Sequence, residues 1–198
     1  MGELTSVDVV NFTRGLLQAA DNEVVQMLDA ALTVARRHAG WHVTPVLENQ
    51  QIVVDGPGSR ILWLPTRRLI DVSSVSENGT ALTLSTLNWS TGGDRHVAMR
   101  KRSGAFWSDQ YGAIEMTITH GFTEVEASDW RRAILSMVDQ MSLVPVAGVS
   151  GASNFGMRSK QVDDVVYRWD SYVSLAEEVV FSVENILSKF SLPTMEFI

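Results

Sequence analysis

Cysteine is absent from the 198-residue sequence, and with it go disulfides, thiolate metal sites and a thiol nucleophile. A reducing compartment suits such a chain. Glycine and proline are scarce as well, 14 and 5 residues, which excludes collagen-like, low-complexity and disordered classes. No apolar run approaches the roughly 18 residues of a membrane span. The opening residues, MGELTSVDVV, hold neither the basic nor the apolar region of a secretion signal. The expectation is a chain that is neither exported nor membrane-bound.

What is present is an ordinary globular composition, 45% hydrophobic and 20% charged. The length fits a single domain over 1–198. Formal net charge is −7, and it is unevenly spread. Residues 1–35 hold one Arg against five acids, whereas 36–102 hold nine Lys or Arg against five acids. The last 38 residues hold two basic residues against seven acids. A basic middle between acidic ends suits head-to-tail contact between copies of the chain.

Hydrophobic periodicity sets out the elements. Thr5 with Asp8 has the spacing of a capping box and predicts a first helix near 6–17, with Gly15 a weak point in it. Val24, Leu28, Ala31, Leu32 and Ala35 form one stripe and predict a helix over 22–39, ended by Gly40. Between about 42 and 120 the runs shorten to QQIVV, RILWL, IDVSSV, HVAMR and AIEMTIT, separated by Gly, Pro and Asn, which predicts a β-rich insertion. Asn78-Gly79 is the pair that a type I′ hairpin turn prefers. Helical spacing returns over 127–143 with Trp130, Ile134, Met137, Val138 and Met141. MRSKQV and DVVYRW then predict a hairpin, and Ser174 with Glu177 predicts the cap of a last helix over 174–190. The fold class expected is α+β: helices from 1–40 and 126–190, a β-rich insertion over 41–122, and a tail over 191–198.

The search for chemistry ends in failed motifs. His38 and His42 have a spacing that can share zinc, but Gly40 and Trp41 break the helix between them and no third ligand is near. GVSGA around Ser150 has Ala152 where a nucleophile elbow requires Gly. Gly151 and Gly156 have the spacing of a phosphate-binding loop, but Met157 and Arg158 replace the residues that touch phosphate and magnesium. His96 and His120 stand alone. No cofactor and no catalysis are expected. Arg95, Arg100, Lys101 and Arg102 precede Phe106 and Trp107, an interleaving of cations and aromatics known from single-strand binders. On an exposed hairpin over 95–107 they are a solvated face, a subunit contact or the DNA-binding surface of an accessory protein.

Two stretches carry a resemblance. LPTRRLIDVSSVSENGTAL, residues 64–82, and GAIEMTITHGFTEVEASDWRRAILSMV, residues 112–138, resemble bacteriophage head-to-tail adaptor (connector) proteins of long-tailed phages. The match lies in order and spacing: Leu64-Pro65, Val72, Val75, Asn78-Gly79, then Thr119-His120-Gly121-Phe122 leading to the helix of Trp130 to Val138. Where the family link often has Pro, this chain has Glu126 and Ala127. The resemblance implies a structural virion protein without catalysis. It would form a ring, usually dodecameric, between the portal and the stopper or tail-completion protein, through which genome DNA passes without specific binding. It would assemble in the host cytoplasm and take part in DNA ejection from the virion.

Three expectations follow. The ring lumen is acidic, supplied by the acidic helices, so that DNA slides past like charge. The basic block, with Arg95, Arg100, Lys101 and Arg102, meets the acidic end of a neighbouring copy. The tail Leu192, Pro193, Thr194, Met195, Glu196, Phe197 and Ile198 binds the portal as an added strand, its apolar side chains being a poor fit to free solvent.

Overall fold

A computed structural model of the chain describes residues 3–92, 97–143, 159–162, 165–168 and 172–192. They form an α+β fold of antiparallel strands and α-helices. The chain divides into two compact units, one comprising Gly2–His38 and Ser128–Ser188, the other Ala39–Ala127 with the segment from Lys189 onward.

In the helical unit, α1 spans Ser6–Phe12. The Asp8 carboxylate accepts hydrogen bonds from the Thr5 amide (2.7 Å) and hydroxyl (2.8 Å), the expected capping box. The helix stops five residues short of the expected Leu17. Arg14 and Gly15 turn left-handed, with φ 54° and 81°, while the Thr13 hydroxyl bonds back to the Val9 carbonyl (2.9 Å). Helix α2 covers Asn22–Ala39, with Glu23 in its first turn and Arg36, Arg37 and His38 in its last, each sign at the end where the helix dipole favours it. Gly40, at φ 78°, ends it.

Helix α3, Ser128–Ser142, buries Trp130, Ala133, Ile134, Met137, Val138 and Met141 along one face. Thr123 and Glu126 stand before it as a second reciprocal box, the Thr123 amide and hydroxyl both donating to the Glu126 carboxylate at 2.9 Å. A capping motif thus fixes the turn that leads into α3. Strands β8 (Ser159–Val162) and β9 (Val165–Arg168) form the expected antiparallel hairpin.

The expected single helix over 174–190 is instead broken. Helix α4 runs Tyr172–Val179, so Ser174 lies inside it rather than at its cap, and α5 (Glu184–Leu187) sits between 3₁₀ turns at Val180–Ser182 and Ser188–Phe190. The cause is local. Val179, Val180, Phe181, Ser182 and Val183 are all poor helix formers in succession, and Val183 leaves helical geometry at φ −119°, ψ 6°. Helix α3 packs against α1, α4 and α5. Polar ties add to this: the Tyr172 hydroxyl donates to Glu23 (2.6 Å), Arg37 meets Glu177 (2.5 Å), and Arg36 pairs with Glu3.

The β-rich unit holds two sheets. The larger has the order β1-β7-β3-β4, with β1 Leu47–Val54, β3 Leu69–Glu77, β4 Thr80–Ala81 and β7 Ile114–His120. Its central strand β7 alternates buried Ile114, Met116 and Ile118 with polar residues, as a half-buried strand should. In β3 the buried residues Leu69, Val72 and Val75 fall every third position, because register shifts at Leu69/Asp71 and Val72/Ser74 reset which face points inward. Asn78 and Gly79 make the β3–β4 turn with φ 51° and 75°. The smaller sheet has the order β2-β6-β5, with β2 Leu62–Trp63, β5 Leu87–Trp89 and β6 Ala98–Lys101. Leu62, Leu64, Leu87, Val97 and Met99 of this region join Leu69, Val72, Val75 and Ile114 in one core. Each such side chain is worth roughly 1.5–3 kcal/mol on burial.

Candidate functional site

Of the basic run expected on a hairpin over 95–107, Arg100 and Lys101 lie on β6 and Arg102 directly follows it; the strand pairs on both sides, with Leu62–Trp63 and with Leu87–Trp89. A central strand fixes its side chains by alternation. Met99 points into the core, so Arg100 points out and is exposed. Lys101 returns inward. Its ammonium donates to Glu77 (2.6 Å) and to the Phe106 carbonyl (2.9 Å), and stands 4.8 Å from the centre of the Trp107 ring. Both partners of the Lys101–Glu77 pair keep about 15% of side-chain exposure. The other Glu77 oxygen accepts the Ser108 amide at 2.8 Å. Lys101 therefore ties the segment before β7 to the end of β3. Arg102 is exposed and its Nε donates to the Leu87 carbonyl (3.2 Å). Arg95 lies outside the described residues.

Three consecutive cations thus have three different settings. The aromatics divide likewise: Trp107 is buried, while Phe106 is 60% exposed with the Arg60 guanidinium 5.2 Å from its ring centre. A stacking platform for bases needs aromatic faces open to solvent. Of the two aromatics that suggested one, only Phe106 meets this.

Beside Arg100 the surface of the small sheet is concave. Two depressions of about 350 and 410 Å³ share Ile61, Asn88 and Arg100 as walls; Trp89 lines the first, and Arg60 and Arg102 line the second. Together they form a groove with an apolar floor and a cationic rim. Sequence reading missed Arg60, Ile61 and Asn88, because β2 and β5 are too short to show a period. The cations of the rim were its visible signal.

A second cluster joins distant parts of this unit. The His42 and His120 rings meet edge to face at 4.5 Å, Trp41 lies nearly parallel to His120 at 6.4 Å, and Phe122 packs on Phe190 at 5.5 Å. The indole of Trp41 donates to the Phe190 carbonyl (2.7 Å), and His120 Nε2 is 2.7 Å from Gln50 Oε1. Burial first, and the neighbouring His42 second, push the His120 pKa down to about 4. The ring is neutral at physiological pH and is a packing group. Among the described residues no group of three His, Cys, Asp or Glu is placed to hold a metal ion.

The start of the expected portal-binding tail is anchored within this same unit. The Leu192 amide donates to the Ala39 carbonyl (2.8 Å), and its side chain lies against Gly40. Arg67 holds the Lys189 carbonyl and the Ser191 carbonyl, the latter at 3.2 Å. Leu192 therefore closes the fold; Pro193, Thr194, Met195, Glu196, Phe197 and Ile198 lie outside the described residues, as does Ser150.

No family model matches the sequence, and no curated protein matches it. Solved structures do. A chain of the virion of a native gene transfer agent (GTA) particle superposes with a TM-score of 0.60, covering 98% of this chain and 91% of its own. The fold is shared with particle necks. A chain from the neck of the empty GTA particle, computed with C6 symmetry, gives 0.58 over 98% of this chain and 91% of that one. One from the neck of the native particle, computed with C12 symmetry, gives 0.56 over 99% and 95%. Sequence identity is 13% in each case, so the likeness is one of fold.

Proposed function

We propose that this chain is a structural, non-enzymatic component of the neck of a phage-like particle, an adaptor ring that joins the portal to the stopper or tail and lets DNA pass through its lumen. The observation that carries the reading is the near-complete two-way coverage with neck chains, in structures computed with six- and twelve-fold symmetry. A fold shared from end to end, insertion and helices together, is more specific than a common β-sheet or bundle. The order of the Leu-Pro, Asn-Gly and Thr-His-Gly-Phe phrases points to the same place. The net charge of −7 also fits a channel that must not hold DNA.

Electron microscopy of the full chain mixed with the portal of its own particle tests this. Annular particles with rotational symmetry stacked on the portal are expected, with little salt-dependent affinity for free DNA. A monomer that binds DNA steeply with falling salt, and ignores the portal, would replace the ring by an accessory DNA-binding role.

In this reading the portal contact is made by the tail segment 192–198 that the sequence singled out. Deleting 193–198, and sparing Leu192 because it belongs to the fold, is expected to weaken portal binding at least about tenfold, or roughly 1.4 kcal/mol. The melting temperature should stay within a degree or two of the parent's, since Leu192 and every described core residue are retained. Unchanged portal affinity in a pull-down titration would assign the contact elsewhere.

A further inference from the structure

Phe181 is the most exposed phenylalanine among the described residues, with 73% of its surface in solvent. It sits on the 3₁₀ turn between α4 and α5, with Glu177 and Glu178 in the turn before it and Glu184 just after, all exposed. Phe181 is thus an apolar knob with carboxylates on either side of it in the chain. The groove on the small sheet has the opposite character: Ile61, 42% exposed, on the floor and Arg60, Arg100 and Arg102 around it.

We propose that Phe181 of one copy seats in this groove on the next copy, with Glu178 and Glu184 facing the arginine rim. The inference rests on the ring reading above and names its contact. Charge complementarity supports the choice of occupant: the knob belongs to the acidic end of the chain and the groove to its basic middle. Size supports it too, because depressions of about 350 and 410 Å³ have room for a phenyl ring with its flanking chain. Buried aromatics inserted in pockets, with a polar surround that excludes water, are the usual anchors of such contacts. Knob and groove are different surfaces of one chain, so the contact is heterologous. Each copy offers one of each, and repetition closes a ring when the rotation per step divides a full turn.

The absence of cysteine makes a clean test. Two full-length single-cysteine variants, Asn88→Cys in the groove and Ser182→Cys beside the knob, are mixed in equal amounts and joined with a short bismaleimide. Because each copy carries one thiol, no product joins two positions of the same copy. The assembly is cross-linked on the portal and imaged in parallel. The 88–182 product is expected to form roughly tenfold faster than a control pair, Tyr111→Cys with Leu16→Cys, through the raised effective concentration of a docked contact. Phe181→Ala should remove most of that excess. Arg100→Glu in the groove partner should do the same, and Glu184→Arg in the knob partner should restore it. Rings seen in the microscope without excess 88–182 product would overturn this contact and leave the ring reading standing. Neither rings nor excess product would overturn both.

Discussion

Replacing Lys101 with methionine is expected to lower stability by about 3 kcal/mol, because it leaves the Glu77 carboxylate in a largely closed site without its cation. Both side chains keep only about 15% exposure, and the ammonium also holds the Phe106 carbonyl at 2.9 Å. For a chain of this length the loss corresponds to roughly 6–12 °C in melting temperature. Methionine keeps an unbranched, largely aliphatic side chain of similar length, so the change reports on charge more than on volume. The double variant Lys101→Met with Glu77→Leu should recover part of the deficit, giving a coupling of about 2 kcal/mol in a double-mutant cycle. Arg100→Met, one position away on the same strand, should stay within about 0.5 kcal/mol of the parent, since Arg100 is exposed. Thermal denaturation of the parent, Lys101→Met, Glu77→Leu, the double variant and Arg100→Met checks this. A Lys101→Met chain that melts with the parent but no longer assembles would make Lys101 a contact residue of the ring.

The contrast between Lys101 and Arg100 shows how far a sequence can be read. Four basic residues and two aromatics looked like one surface because nothing local separates them. Alternation along β6 separates them once it is known that Met99 is inside and that both edges of the strand are paired. Where the pattern is long, as in α2 and α3 or in β7, the residues themselves set the elements, since each turn or pleat repeats the same burial decision. The broken helix near 180 was hidden by a periodic stripe, Leu175, Val179, Val183, Ile186, Leu187 and Phe190, that survives two 3₁₀ turns. There low propensity outweighed pattern. The groove and the histidine cluster had no such trace. The groove is assembled from residues 60–61, 88–90 and 98–104, and the cluster from 41–42, 120–122 and 190, so each depends on strand pairing or loop return that no short window contains. Val43 makes the point sharply: a buried β-branched residue at φ 61°, a cost of about 1–3 kcal/mol, is held there by its surroundings and not by its own preference.

Lowering the pH from 7 to 4 is expected to remove on the order of 3 kcal/mol of stability through His120 alone. In the folded chain its pKa is pushed down to about 4, by burial foremost and then by His42, against an ordinary value of 6.5. Between those two values the unfolded chain carries a proton on this residue that the native chain does not. The unfolded state binds more protons there, so stability falls as pH falls, and the contribution is fully present only above about 6.5. Glu126 acts in a different window. Its carboxylate is held below its ordinary value of 4.5, first by the Thr123 amide, and its stabilising contribution is lost only as pH falls below that value. The two can therefore be told apart by pH. His120→Phe keeps an aromatic ring beside Trp41 and gives up the contact with Gln50, so it should be less stable than the parent at pH 7 but should lose less on acidification. In urea titrations from pH 7 to 4 the two stability curves should converge, with most of the convergence between pH 6.5 and 4.5. Parallel curves across that interval would mean that His120 takes up its proton in the folded chain as readily as in the unfolded one, and that its burial among Trp41, His42 and Gln50 costs the charged ring nothing.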